Sequence, residues 1–442
     1  MTNPIKPLVA IVGRPNVGKS SLFNRLTGRS TAIVSDTPGT TRDRISMETL
    51  WGEHPFILVD TGGLDMFPNT ELHQQVKAQI DVAINDADIL VMLVDSSTGI
   101  MAADIDVAER LRRTEKPILL AANKSDNEMR ENDALEFFEL GLGDPIAISA
   151  YHNRGIDILM SAVLERFPVE HAATDQEADL RIAIVGRVNV GKSMFINALC
   201  GHYRSIVSDV PGTTRDTIDT IIKRGNQSIL AVDTAGLRRR GNIEPGIEKY
   251  SALRTIRAID RADVVILMTD TSELATAQDA HIAGYVIDSH KGIVIALNKW
   301  DLSKDLNVGR EEALQLTKTR FKFMPFAPIC FISSLKGTGI DNLLSTVDSI
   351  NIQWKRELPR YDLRRTILNA VARHPPSTTG RRTLKVYGVT QDQTAPPSFT
   401  FYVNRSDMVH FSYRRYLENA LRASYGFEGS PLRMRFKGRG EK

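Results

Sequence analysis

The chain has 442 residues, 42% of them hydrophobic and 25% charged, an ordinary globular balance that excludes a mainly disordered protein and suits about three domains. No apolar run approaches the ~18 residues of a bilayer span, and the start MTNPIKPLVAIVG has no basic segment followed by a long apolar core, so neither membrane insertion nor export is expected. The net charge of +3 is uneven: residues 355–442 hold 18 Lys and Arg against 7 Asp and Glu, residues 1–354 hold 38 against 46, and so basic a tail implies a polyanionic partner.

In chain order, LVAIVG (8–13) predicts a buried strand, followed by the loop GRPNVGKS (13–20) and a helical stretch. PGTTRD (38–43) is a loop; FILVDT (56–61) is a strand that runs into DTGG (60–63). ADILVMLVD (87–95) and PILLAANK (117–124) are near-continuous apolar strands, the second leading into NKSD (123–126), and ISA (148–150) follows another apolar run. After an acidic, aperiodic linker (169–180) the series begins again. RIAIVG (181–186), GRVNVGKS (186–193), PGTTRD (211–216), DTAG (233–236), NKWD (298–301) and ISS (332–334) come in the same order, so a whole domain is repeated in tandem. Strands apolar on both faces, alternating with helical segments, imply parallel sheets covered by helices: an α/β, doubly wound architecture with ligand sites at the carboxyl ends of the strands. The expected domains are 1–168, 181–354 and a basic third segment, 355–442. In that segment RTLKVYGVTQ and SFTFYVN predict strands, YRRYLENALRASYG a helix and PLRMRFKGR a last strand. Cys200 and Cys330, far apart in a chain without an export signal, are expected to be reduced, buried thiols in the cytoplasm.

The repeated motifs carry phosphate chemistry. A G-x-x-x-x-G-K-S loop between strand and helix turns backbone N–H groups toward phosphates, with Lys19 and Lys192 adding charge. Gly13, Arg14, Pro15, Asn16, Val17, Gly18 and Ser20 line the first loop; Gly186, Arg187, Val188, Asn189, Val190, Gly191 and Ser193 line the second. Ser20 and Ser193 offer hydroxyls to Mg²⁺, and the threonine pair of each PGTTRD supplies a further metal ligand, since the segment occupies the interval where a switch threonine binds the metal when the γ-phosphate is present. Asp60 and Asp233 would hold Mg²⁺ through water, and the N–H groups of Gly63 and Gly236 would meet the γ-phosphate; Thr61, Gly62 and Leu64, and Thr234, Ala235 and Leu237, complete these segments. The base is read by N-K-x-D: Asp126 and Asp301 accept two hydrogen bonds from guanine, which adenine cannot give, while Asn123, Lys124, Asn298 and Lys299 brace the loop and the base. Ser149, Ala150, Ser333 and Ser334 sit where the last base-contacting loop is expected. Leu64 and Leu237 stand where Ras-like enzymes carry the glutamine that orients water, so slow intrinsic hydrolysis is expected.

Two such domains and a basic tail resemble the bacterial Der (EngA) GTPases over essentially all of the chain. The marks are the paired phosphate loops, both PGTTRD segments, GLRRRGNIEPGIEKYSALRTIRAI (236–259), HPPSTTGRRTLKVYGVTQ (374–391) and YRRYLENALRASYGFEGSPLRMRF (413–436). The resemblance implies two P-loop GTPase domains followed by an α+β KH-like domain that contributes to rRNA contact, and a role in assembly of the large ribosomal subunit. It also implies a K⁺ site in place of an arginine finger, marked by Asn16 and Asn189, and similarity to a tRNA-modification GTPase with the same GTTRD loop implies that Thr40 and Thr213 contribute to that site while Thr41 and Thr214 bind Mg²⁺. Candidate RNA contacts are Arg381, Arg382, Lys385, Arg414, Arg415, Arg433, Arg435 and Lys437. GFEG (426–429) has the letters of a KH clamp but follows the last helix, and is expected to be a cap and turn. Guanine nucleotides and the ribosome are the expected partners, with no membrane partner and a monomeric chain. A tRNA-modification or translation-associated GTPase is the alternative; the tandem repeat and the lack of a Cys- or cofactor-rich module weigh against the first of these.

Overall fold

The structure is a computed structural model. It describes residues 6–29, 46–61, 84, 87–167, 178–208, 219–232, 234, 252–376, 378–379 and 382–438. Both PGTTRD segments therefore lie outside the described residues, as do Thr40, Thr41, Gly62, Gly63, Leu64, Thr213, Thr214, Asp233, Ala235, Gly236, Leu237 and Arg381. The chain falls into two compact units, one built on the first sheet and the other on the second sheet together with the C-terminal domain.

The first unit carries β1 (Leu8–Val12), β2 (Ser46–Trp51), β3 (His54–Asp60), β4 (Ile89–Asp95), β5 (Ile118–Asn123) and β6 (Ile146–Ala147) in the order β2-β3-β1-β4-β5-β6. Only β2 runs antiparallel; the other pairings are parallel. Every residue of β1 and of β4 is buried, because helices cover both faces of the sheet. Phe23 and Leu26 of the helix Lys19–Arg29 and Leu159, Met160 and Val163 of the helix Ile156–Glu165 pack in one core with Val9, Ile11, Val91 and Leu93.

In the second unit β7 (Leu180–Val185), β8 (Arg204–Ser208), β9 (Asp219–Arg224), β10 (Gln227–Val232), β11 (Val264–Asp270), β12 (Gly292–Asn298) and β13 (Ile329–Phe331) form a sheet of order β13-β12-β11-β7-β10-β9-β8. The edge strand β8, RSIVS, is a finding the sequence reading lacked; it pairs antiparallel with β9. The helix Ile340–Trp354 closes this domain, with Leu343, Val347 and Ile350 in the core.

The C-terminal domain packs the helices Arg360–Arg373 and Phe411–Tyr425 on one face of a sheet of β16 (Val386–Gln393), β17 (Ser398–Val403) and β18 (Arg433–Lys437); β14 (Thr378–Thr379) and β15 (Arg382–Thr383) form a small ribbon of their own. The period-2 alternation of β17 sends Phe399, Phe401 and Val403 into that core, and its parallel partner β18 adds Met434. GFEG turns out to be a cap and a plug. Gly426 ends the helix at φ +83°, and the loop then docks on the domain built on the second sheet. There the Gly429 N–H donates to the Phe326 carbonyl (2.8 Å) and the Ile293 N–H donates to the Gly429 carbonyl (2.7 Å). Gly429 has φ +67°, and a Cβ there would lie 2.5 Å from Ile350 Cγ1, so glycine is required on two counts. The Arg422 guanidinium stacks 4.0 Å from the Phe326 ring centroid, and the Trp354 indole N–H donates to the His290 carbonyl (2.9 Å).

Candidate nucleotide-binding sites

Each site is assembled from turns at the carboxyl ends of parallel strands. After β1 the loop 13–20 opens the helix Lys19–Arg29; after β7 the loop 186–193 opens the helix Lys192–His202. Gly13 has φ +150°, and a Cβ on it would lie 2.4 Å from the Leu93 carbonyl; Gly186 repeats this with φ +148° and 2.3 Å to Met268. These glycines let the loop run flush against the neighbouring strand. Asn16 and Asn189 both adopt φ +66°, a left-handed conformation that asparagine tolerates better than most residues.

The lysines are stretched over their own loops. Lys19 Nζ donates to the carbonyls of Gly13 and Arg14 at 2.9 Å each; Lys192 Nζ donates to those of Gly186 (2.8 Å) and Arg187 (2.6 Å). Burial pulls the Lys19 ammonium below the ordinary lysine value, with the Asp60 carboxylate opposing that shift. Ser20 Oγ donates to Asp60 Oδ2 at 2.7 Å, so two hard oxygen donors already meet beside the loop, a pairing that fits Mg²⁺. The Thr61 and Thr234 side chains turn the other way, to the Ile11 carbonyl (2.8 Å) and the Thr220 hydroxyl (2.8 Å), and brace the sheet. Val17 and Val190 are buried in the cores, leaving only backbone for a ligand.

N-K-x-D joins the phosphate loop to the base loop. Asn123 Nδ2 donates to the Val17 carbonyl (2.8 Å), and its Oδ1 accepts from the Ala150 N–H (3.0 Å). Asn298 does the same with Val190 (2.7 Å) and Ser334 (3.0 Å). Gly18 and Gly191 are what let these asparagines approach: a Cβ would lie 2.4 and 2.3 Å from the amide nitrogens. Asp126 Oδ1 accepts from the Ser149 hydroxyl (2.7 Å), and the Arg154 guanidinium donates to the Asp126 carbonyl (2.7 Å), which orients the carboxylate before any base arrives. Asp301 lies in the short 3-10 turn Trp300–Leu302, entered through Lys299 at φ +61°.

Two pairs of residues were missed by the motif reading. Asp95, the last residue of β4, accepts from Lys124 Nζ at 2.5 Å, and Asp270, the last of β11, accepts from Lys299 Nζ at 2.6 Å. Burial pushes both carboxyls up, but bonds from the lysine and from Ser97 or Ser272 outweigh it and hold them below the usual carboxylate range. Asp104 and Asp279, fully buried, face Arg14 and Arg187. The signal was present: both pairs recur at the 175-residue spacing that separates the two N-K-x-D motifs.

A strand–loop–helix phosphate cradle and an N-K-x-D base clamp, both occurring twice, with a hydroxyl–carboxylate pair fit for Mg²⁺ at the first site, define a tandem P-loop GTPase. Family models agree. One described as "50S ribosome-binding GTPase" matches residues 8–124 and again 181–299, and one described as "KH-domain-like of EngA bacterial GTPase enzymes, C-terminal" matches 358–437. The chain is 48% identical to GTPase Der of Thermomicrobium roseum, with 98% of this chain and 96% of that protein covered. It is 47% identical to GTPase Der of Chloroflexus aggregans, with 99% of each covered. The chain belongs to the Der (EngA) family of GTPases.

Proposed function

We propose that this protein is a double GTP switch of ribosome biogenesis, acting in assembly of the large ribosomal subunit, with nucleotide state controlling contact between its basic domain and rRNA. The proposed domains are 1–168 and 181–354 for GTP and 355–442 for RNA. The observation that carries the reading is the docking of the C-terminal domain on the second GTP-binding domain. With Gly429 hydrogen-bonded to Ile293 and Phe326, the GFEG loop is not available as a backbone clamp. RNA contact then falls to the face of the sheet opposite the core, where the register of β17 and β18 places Tyr402, Arg435 and Lys437 together, all exposed. Two cations beside an aromatic ring suit a nucleic-acid strand.

At each GTP site the lysine and the loop N–H groups hold the β- and γ-phosphates. Mg²⁺, when bound by Ser20 and Thr41 or by Ser193 and Thr214, offsets the phosphate charge. Without a glutamine after D-x-x-G, intrinsic turnover would be slow; Asn16 and Asn189 would each help to hold a K⁺, which would supply the missing positive charge. The protein works as a cytoplasmic monomer; among the described residues no helix is long and apolar enough to cross a membrane.

The test is co-sedimentation with ribosomal subunits in GDP, GTP and a non-hydrolysable GTP analogue, at several salt concentrations. Binding is expected to be tight with GTP or the analogue, weak with GDP, and steeply salt-dependent. Arg435→Glu with Lys437→Glu should remove most of it. Binding independent of nucleotide, or unchanged in the double variant, refutes the reading.

A further inference from the structure

Both domains contain a buried carboxylate for which the motifs give no task. Asp104 is the third residue of the helix Ala102–Leu111 and is fully buried. Its Oδ2 accepts from the Met101 N–H (3.1 Å) and from Arg14 Nε (3.2 Å), and Arg14 Nη2 donates to the Thr98 hydroxyl at 2.6 Å. Asp104 Oδ1 is buried without a hydrogen-bond partner among the described residues. Asp279, third residue of the helix Ala277–Asp288, is equally buried; its Oδ2 accepts from the Thr276 N–H and hydroxyl at 2.9 Å each and lies 3.6 Å from Arg187 Nε. The Arg187 guanidinium also grips the Glu273 carboxylate, and its Nη2 donates to the Glu273 carbonyl (2.9 Å).

A neutral side chain could cap these helices without the desolvation cost of a buried charge. The second half of the constellation explains why an acid is present. Arg14 and Arg187 are the second residues of the phosphate loops, and their carbonyls are among the acceptors that aim Lys19 and Lys192. Fixing the arginine fixes that peptide. The two domains do so unequally. Arg14 precedes Pro15, whose ring already restricts the backbone before it; Arg187 precedes Val188, which imposes no such restriction. The domain without the proline has Glu273 where the other has the neutral Thr98.

We propose that Asp104 and Asp279 are positioning residues for the phosphate loops: they hold Arg14 and Arg187, and through the arginine peptide the carbonyl that orients the phosphate-binding lysine, with Glu273 supplying in the second domain the restraint that Pro15 supplies in the first. Each site is read in the full-length chain with the other silenced by Lys192→Ala or Lys19→Ala. Asp104→Asn keeps an oxygen for the Met101 N–H and so keeps the helix cap. It should raise KM for GTP at the first site about tenfold, the size of one lost charge-assisted bond, with the melting temperature nearly unchanged. In an Arg14→Ala background the same change should add less than about twofold, since the partner is already gone. At the second site Glu273→Thr should raise KM about fivefold, and Val188→Pro in that background should restore it. An Asp104→Asn effect that persists undiminished with Arg14→Ala, or that appears as lost melting temperature at constant KM, reduces the aspartate to a helix cap. Failure of Val188→Pro to restore the Glu273→Thr site overturns the exchange of restraints.

Discussion

Replacing Asp95 with asparagine removes the charge that holds the N-K-x-D lysine. Lys124 sits at φ +66° with its ammonium bridging Asp95 Oδ2 (2.5 Å) and the Asn16 carbonyl (3.2 Å), so it ties the base-binding turn to the phosphate loop. A hydrogen bond between charged groups is worth about 1.5–3 kcal/mol net. The Lys124 side chain is 41% exposed, so solvent screening brings that down to about 1 kcal/mol. A released lysine must also be re-ordered when the nucleotide binds, at about 0.5–1 kcal/mol more. Together these weaken GDP binding at the first site by about 1.5–2 kcal/mol, roughly 10- to 30-fold. Asp270→Asn, which frees Lys299, repeats the experiment at the second site. Fluorescent GDP titrated into each variant, with the other site silenced, measures the loss. The pH dependence follows from sign. The folded carboxyl of Asp95 lies below its ordinary value, so its contribution is complete above the unfolded value of about 3.9 and fades only as pH falls through the folded one. The gap between wild type and variant should therefore be constant from pH 8 to pH 5. Unchanged GDP affinity at both sites, or a gap that closes between pH 8 and 6, refutes the reasoning.

Asp126→Asn and Asp301→Asn should each weaken GTP and improve xanthosine triphosphate at their own site, because the new amide N–H can meet an oxygen at C2; nucleotide titrations of the single variants decide it. GTP turnover should be faster in KCl than in NaCl at equal ionic strength, and Asn16→Gly should abolish the difference at the first site. Glycine is the informative change there, since it keeps the left-handed φ of +66° that alanine would strain. Gly429→Ala should loosen the C-terminal domain from its neighbour by about 2–4 kcal/mol, from a strained φ and an overpacked contact with Ile350, seen as a new early transition in thermal melts and faster proteolysis near residue 356. A single unshifted transition would show that the plug does not hold the two domains together.

The sequence by itself determined the tandem α/β plan, the phosphate loops and the base clamp. These depend on local pattern: glycines where backbone must pass close, apolar runs where both faces are covered, and motifs whose order along the chain matches the strand ends that bear them. Lys19, Asn123 and Asp126 were legible because each lies beside its strand in the chain. Tertiary structure alone decided the partners that come from afar. Asp95 reaches Lys124 only because β4 and β5 are paired in register, Asp95 beside Asn123. Asp104 reaches Arg14 across 90 residues, a distance in sequence that carries no periodicity to read. GFEG shows the limit most plainly. Its glycines announced a turn, but that the turn is filled by Ile293, Phe326 and Ile350 follows from packing between two domains, where complementary surfaces, and not local propensity, set the contact.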